Sequence, residues 1–256
     1  MADITEVDYI WKNGEMIPWA EATTHVLSHS LHYGSGVFEG IRCYQNPETK
    51  KSYVFRLRDH MERLHRSCKI SLIDLPYSVD ELCDATIELI RKNKLPSCYI
   101  RPIVYRGYGV MGVDPTGAPT DVAIAVWPWD TYLGDGALDN GVAVGVSSWR
   151  QRTNNSIPPA VKATASYMNS ILAKLEAKEH GYVEAIMLNE RGSCARAPAR
   201  TSSSCATASC PRRRCPTDCW RASRATRCCA WPTTWRSPPS RKASRAATST
   251  SPTRCS

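Results

Sequence analysis

A chain of 256 residues has room for one large or two modest domains, and its 33 Lys+Arg against 24 Asp+Glu give a formal net charge of +9. Evenly spread, that excess would point to an anionic partner such as nucleic acid. It is not evenly spread. Residues 193–256 hold 13 basic residues against one acid, Asp218, a net of +12, while residues 1–192 hold 20 basic and 23 acidic residues, a net of −3. The cysteines divide the same way, with Cys43, Cys68, Cys83 and Cys98 in the body and eight more after residue 193. Four widely spaced thiols in a body this size suit a reduced, cytoplasmic protein. Met1 to Trp11 is acidic and lacks an apolar stretch, so no signal peptide is expected. No apolar run approaches the roughly 20 residues of a membrane helix.

Residues 8–19 alternate around Asn13-Gly14, a hairpin turn in which both central residues need positive φ. Val37 to Tyr44 and Tyr53 to Leu57 read as strands. Arg58 to Leu72 reads as a helix with Met61, Leu64, Cys68 and Leu72 on one face. A second helix starts at Ser78, which forms a capping box with Glu81, and buries Leu82, Ile87 and Ile90. Tyr99 to Tyr105 and Val122 to Trp129 are further strands. Residues 1–130 thus make an α/β domain large enough for its own core. Residues 131–140 are turn-rich and polar, a candidate linker. Residues 141–192 open a second unit. It has a strand at Val142 to Trp149, a helix at Thr164 to His180 with Tyr167, Ile171, Leu172 and Leu175 on one side, a strand at Glu184 to Leu188, and a turn at Asn189 to Gly192.

There the pattern stops. Residues 193–256 contain no Leu, Ile, Val, Met, Phe, Tyr or Gly. With so little apolar area to offset chain entropy, this tail is expected to be disordered.

Five stretches of the body carry chemistry. Tyr33-Gly34-Ser35-Gly36-Val37-Phe38-Glu39-Gly40-Ile41-Arg42 has glycines that let backbone approach a ligand, or is simply a strand with a glycine-rich entry. His60 and Arg63 share a helix face, where an arginine can clamp a phosphate or lie in solvent. Tyr99 and Arg101 point to one side of a strand and suit a carboxylate, or form an exposed rung. Trp127-Pro128-Trp129 offers aromatic walls or core. Lys162 precedes a helix, where a lysine is usually solvated but becomes a nucleophilic amine if buried.

Together and in this order, these stretches resemble the branched-chain amino acid aminotransferases, pyridoxal-phosphate enzymes of class IV (fold type IV). The resemblance spans residues ~8–192 and also takes in Tyr167 and Gly181-Tyr182…Glu184. It implies a two-domain α/β (α+β) fold whose second domain is here incomplete. It implies pyridoxal 5′-phosphate as cofactor. Lys162 resembles the lysine that bonds the cofactor and then moves a proton. Arg63 resembles the ligand of the cofactor's phosphate, and Tyr167 the tyrosine beside its phenolic oxygen. Tyr33, Phe38, Gly40, Tyr99 and Trp129 resemble a substrate pocket for Leu, Ile and Val. Arg101 resembles the acceptor of the distal carboxylate of glutamate. In this family Tyr33 reaches the neighbouring subunit's pocket, so the resemblance implies homo-oligomers built from dimers. D-amino acid aminotransferase and aminodeoxychorismate lyase share the fold and the lysine. The stretches around Phe38 and Tyr99 favour the branched-chain group.

The chain departs from the family after Gly192. A Glu-Gly-x-Gly-Glu-Asn segment is expected next, its first Glu binding the cofactor's pyridine nitrogen, and Arg196 stands in its place. A Gly-Ile-Thr-Arg phosphate loop should follow and does not. With suitable codons, Cys194 to Thr201 read from the third base of each codon gives Arg-Glu-Gly-Thr-Gly-Glu-Asn. Cys219 to Thr226, read in the same shifted frame, gives Leu-Glu-Gly-Ile-Thr-Arg-Asp. The tail from about residue 193 therefore reads as a frameshift, and the chain as written is expected to be inactive. A basic tail binds nucleic acid nonspecifically, but no specific binding module or aromatic-interleaved pattern is present. Cys205, Cys210, Cys215 and Cys219 lack a Cys-x-x-Cys pair and any nearby His, so no metal site is expected.

Overall fold

The computed structural model describes residues 4–129, 141–153, 155–158 and 160–196. The linker at 131–140 and the tail from residue 197 lie outside the described residues.

Chain order explains the first unit. β1 (Tyr9–Lys12) turns into β2 (Glu15–Pro18) through Asn13 and Gly14, with φ of 49° and 98° as the turn requires. A short helix α1 (His29–Tyr33) leads to β3 (Gly36–Phe38), β4 (Ile41–Gln45) and β5 (Ser52–Val54). Two helices follow, α2 (Leu57–Ile70) and α3 (Val79–Lys92), then two long strands, β6 (Cys98–Arg106) and β7 (Thr120–Trp127). The sheet order is β2-β1-β7-β6-β4-β5, with β3 also on β6, and every pairing is antiparallel.

The stretch expected to be one strand, Val37 to Tyr44, is broken at Glu39-Gly40. Its register nonetheless runs straight through, with Phe38 opposite Ile103 and Ile41 opposite Ile100. Glu39 therefore faces Pro102. It donates its N–H to the Pro102 carbonyl at 2.9 Å, but proline has no N–H to return, so the ladder lapses for two residues.

One face of β6 and β7 carries Ile100, Val104, Val122, Ile124 and Val126, all fully buried with Met61 and Leu64 of α2 and Leu82 and Leu89 of α3. Period two on the strands meets period 3.6 on the helices. The opposite face presents Tyr99, Arg101 and Trp127, only partly buried. α3 begins at Ser78 with the expected reciprocal cap: Ser78 Oγ accepts from Glu81 N at 3.2 Å and Glu81 Oε2 accepts from Ser78 N at 2.7 Å. α2 departs from expectation at its end. It stops at Ile70, and Leu72 turns left-handed (φ 53°) and is 82% exposed instead of joining the core.

The second unit is smaller. β8 (Val144–Arg150) runs parallel to β9 (Glu184–Leu188), and β10 (Cys194–Arg196) pairs antiparallel with β9. Between β8 and β9 lie a single 3₁₀ turn (Thr164–Ser166) and α4 (Tyr167–Glu179). The ordered strand thus continues three residues into the stretch assigned to the tail; backbone pairing to β9 needs no particular side chain. α4 also corrects an expectation. Its buried face is small, Ser170, Ala173 and Ala177, whereas Ile171 and Leu175 are half-exposed. Small residues let the helix lie close on the narrow sheet, and its bulky side faces away.

Candidate functional site

The lysine comes from the second unit, yet its backbone is held by the first. Phe38 N donates to the Lys162 carbonyl at 3.1 Å, and Val37 bridges to Ala163. From the other side, Lys162 N donates to Ser67 Oγ of α2 at 3.5 Å. Thr164 Oγ1 donates to the carbonyls of Gly34 and Gly36, 2.8 and 3.1 Å away. Gly34 is left-handed (φ 63°), and a Cβ there would lie 2.7 Å from that of Ala165. Only glycine allows this close approach of loop to loop.

The Lys162 side chain is half-buried. Its Nζ donates to the Tyr167 hydroxyl and lies 4.5 Å from the centre of the Phe38 ring and 4.9 Å from that of Tyr167. Phe38, 8% exposed, packs against Tyr167 with ring centres 5.0 Å apart. Arg101 lies over Phe38, 4.6 Å from its centre, and its Nη2 donates to the Tyr99 hydroxyl at 3.0 Å. Tyr99 in turn meets Trp129 and Trp127, at 4.5 and 5.0 Å. Gly40 makes room for this arrangement, since a Cβ there would lie 2.3 Å from the Tyr99 hydroxyl. A continuous aromatic wall thus carries a primary amine at one end and a guanidinium in its middle. Among the described residues Arg101 Nε is buried without a hydrogen-bond partner, and such a donor costs about 1–3 kcal/mol unless an acceptor arrives.

Arg63 lies on the α2 stripe that also carries His60 and, one turn on, Ser67. Its Nε and Nη2 both donate to the carboxylate of Glu39. Glu39 is fully buried and also accepts from His60 Nδ1 at 3.0 Å, which places the ring proton on that nitrogen. Burial alone would push the Glu39 carboxyl up. The hydrogen bonds from His60 and Arg63, reinforced by their charges, outweigh it and hold the carboxyl below its ordinary value.

Lys162, Tyr167, Phe38, Gly40, Tyr99, Arg101 and Trp129, singled out in the sequence, are therefore brought together, with Arg63 tied to them through Ser67 and Glu39. Tyr33 is not among them. It is 43% exposed and stacks on His29, ring centres 4.6 Å apart. Four contributors escaped the sequence reading. Glu39 was quoted in its motif but given no role, although an acid flanked by apolar residues signals a buried partner. Arg42 donates to the Trp129 carbonyl at 2.6 Å and sits opposite Tyr99 on β6. Ser67 and Thr164 gave no signal, since their work is to anchor backbone.

Residues 36–201 match the amino-transferase class IV family. A branched-chain-amino-acid aminotransferase of Escherichia coli (strain K12) is 50% identical over 188 residues, which cover 73% of this chain and 60% of the relative. A solved structure of the Escherichia coli branched-chain amino acid aminotransferase is 48% identical with a TM-score of 0.73, covering 75% of this chain and 63% of that one. A branched-chain aminotransferase from Thermobaculum terrenum, solved in its PLP-form, is 36% identical with a TM-score of 0.68, over 75% of this chain and 62% of that one. The chain spans about 60% of the length of the curated relatives it matches. The family model covers well over half of the chain, and with relatives at this level of identity the chain belongs to the class IV aminotransferase family.

Proposed function

We propose that the chain derives from a branched-chain amino acid transaminase, which exchanges an amino group between Leu, Ile or Val and 2-oxoglutarate, and that as it stands it holds the lysine side of that site without the rest. The observation that carries this reading is the Lys162 amine, set against Phe38 and Tyr167 beside Arg101, whose buried Nε meets no acceptor among the described residues.

Pyridoxal 5′-phosphate fits the donor set. Lys162 offers an amine to its aldehyde, Tyr167 a hydroxyl beside its phenolic oxygen, and Arg63 a guanidinium to its phosphate. When bound, the cofactor supplies an electron sink for the substrate's Cα–H bond electrons. Lys162 then holds and returns the proton at that carbon, with the Tyr167 hydroxyl as its hydrogen-bond partner. Phe38, Tyr99 and Trp129, with Gly40 leaving room, take the branched apolar side chain and exclude water. Arg101 turns its Nε to the distal carboxylate of glutamate, so one site serves both amino acids.

The Glu that would hold the pyridine nitrogen corresponds to Arg196, whose charge repels a pyridinium, so this chain binds cofactor but turns over poorly. Tyr33, exposed and stacked on His29, suits a residue that serves a second subunit in a dimer-based homo-oligomer. No helix among the described residues is long and apolar enough to cross a membrane, and a cytoplasmic enzyme without a specific nucleic-acid partner is the reading favoured.

The test is a substrate screen on protein whose gene has been returned to the shifted frame after codon 193. Transfer from Leu, Ile and Val to 2-oxoglutarate, with none from D-Ala, is expected. Transfer from D-Ala alone, or lyase chemistry, would move the chain to another branch of the family.

A further inference from the structure

We propose that Glu39 is a positioning residue for the cofactor's phosphate: its buried carboxylate fixes the plane and direction in which the Arg63 guanidinium meets a phosphate monoester. The proposal rests on the reading of Arg63 given above.

The geometry is specific. Both Glu39 oxygens are used, one by Arg63 Nε and the other by Arg63 Nη2 and His60 Nδ1. The Gly40 N–H adds a fourth donor, 3.2 Å from Oε2. A two-point contact along one edge of a planar guanidinium leaves it no rotation about its long axis. The Glu39 backbone is itself pinned, its N–H on the Pro102 carbonyl at 2.9 Å. Ser67, one turn along α2 from Arg63, meets the backbone of Lys162. Arg63 therefore lies on the helix stripe that meets the backbone of Lys162.

Stability alone accounts poorly for this cluster. Glu39 is fully buried and the Arg63 side chain is 12% exposed, and a buried ion pair stabilises no better than apolar residues of similar volume. A guanidinium that must later receive an anion gains from being held beforehand, because orienting it during binding would cost side-chain entropy. Glu39 supplies that hold, at the cost of some repulsion toward the phosphate.

Pyridoxal phosphate and phosphate-free pyridoxal share the aldehyde that Lys162 bonds, so the ratio of their affinities isolates the phosphate. Both are titrated into the purified 256-residue chain and followed by visible absorbance, for wild type, Glu39→Gln, Arg63→Lys and the double variant. Glutamine keeps the shape, but its amide nitrogen faces a donor of Arg63 and breaks the two-point contact. Glu39→Gln is expected to cut the preference for the phosphate ester about tenfold while leaving pyridoxal binding little changed. The double variant should lose no more than Arg63→Lys alone, since both act through one guanidinium. If Glu39→Gln does not fold, Glu39→Asp keeps the charge, draws it back by one methylene, and should lose a smaller share of the preference. An unchanged or increased preference, or equal weakening of both ligands, overturns the proposal. A wild-type chain that binds both equally refutes the phosphate role of Arg63 itself, and the proposal falls with it.

Discussion

The two units of this chain answer the same physical demand with different success. The first closes a seven-stranded sheet under α2 and α3, and Ile100, Val104, Met61, Leu64, Leu82 and Leu89 are fully buried. Among the described residues the second has three strands and one helix, and its buried cluster is Ala173, Ala177, Ala185 and Met187. Over it Val146, Met168, Ile171 and Leu175 are each at least half-exposed. A unit that presents so much apolar surface is built to be covered. The site nonetheless draws on both, because Lys162 is anchored through Phe38 and Ser67 of the finished unit and not through its own sheet. The difference teaches that the backbone of Lys162 is held by the first unit's core, while the second unit leaves an apolar face exposed.

The largest effect expected sharpens that contrast. Returning the gene to the shifted frame after codon 193 should raise transamination of Leu by at least about a hundredfold over the present chain, measured by coupled assay of glutamate. The first unit, by contrast, should fail from single changes. Glu39→Ala leaves Arg63 buried without its counter-charge and should cost about 3–5 kcal/mol in denaturant unfolding. Ile100→Ala should cost about 2–5 kcal/mol, while Leu175→Ser in the second unit should cost less than about 0.5 kcal/mol. Comparable losses at both sites would break the comparison.

Acid provides a gentler probe. Glu39 has its folded-state pKa held below the ordinary 4.5, so its contribution is complete above that pH. It is lost as pH falls through the depressed folded value. The unfolding midpoint should therefore decline below about pH 4.5, and Glu39→Gln should flatten that part of the decline. Within the first unit the mildest change is Ser78→Ala, which removes a cap from α3 and should cost about 1 kcal/mol by thermal melt.

Much of this was legible in the residues, for identifiable reasons. The Asn13-Gly14 turn, the Ser78 capping box and the Glu184 to Leu188 strand are local features, and each stands where local chemistry puts it. The aromatic wall was legible because alternation along β6 sets Tyr99 and Arg101 on one face. The break at Glu39-Gly40 was not, since it depends on Pro102 lying across the ladder 63 positions later in the chain. The outward face of α4 was missed because helical periodicity shows that apolar residues share a side, not which side is covered. Leu72 was lost to a left-handed turn that ends α2 two residues before its pattern does.

The central claim, that the chain carries a working lysine on an incomplete site, meets its most direct test in one spectrum. Purified 256-residue protein is mixed with pyridoxal 5′-phosphate and its visible absorbance is compared with that of Lys162→Ala. The account predicts a new band in wild type that persists through dialysis and is absent from Lys162→Ala. Identical spectra from the two proteins would contradict it.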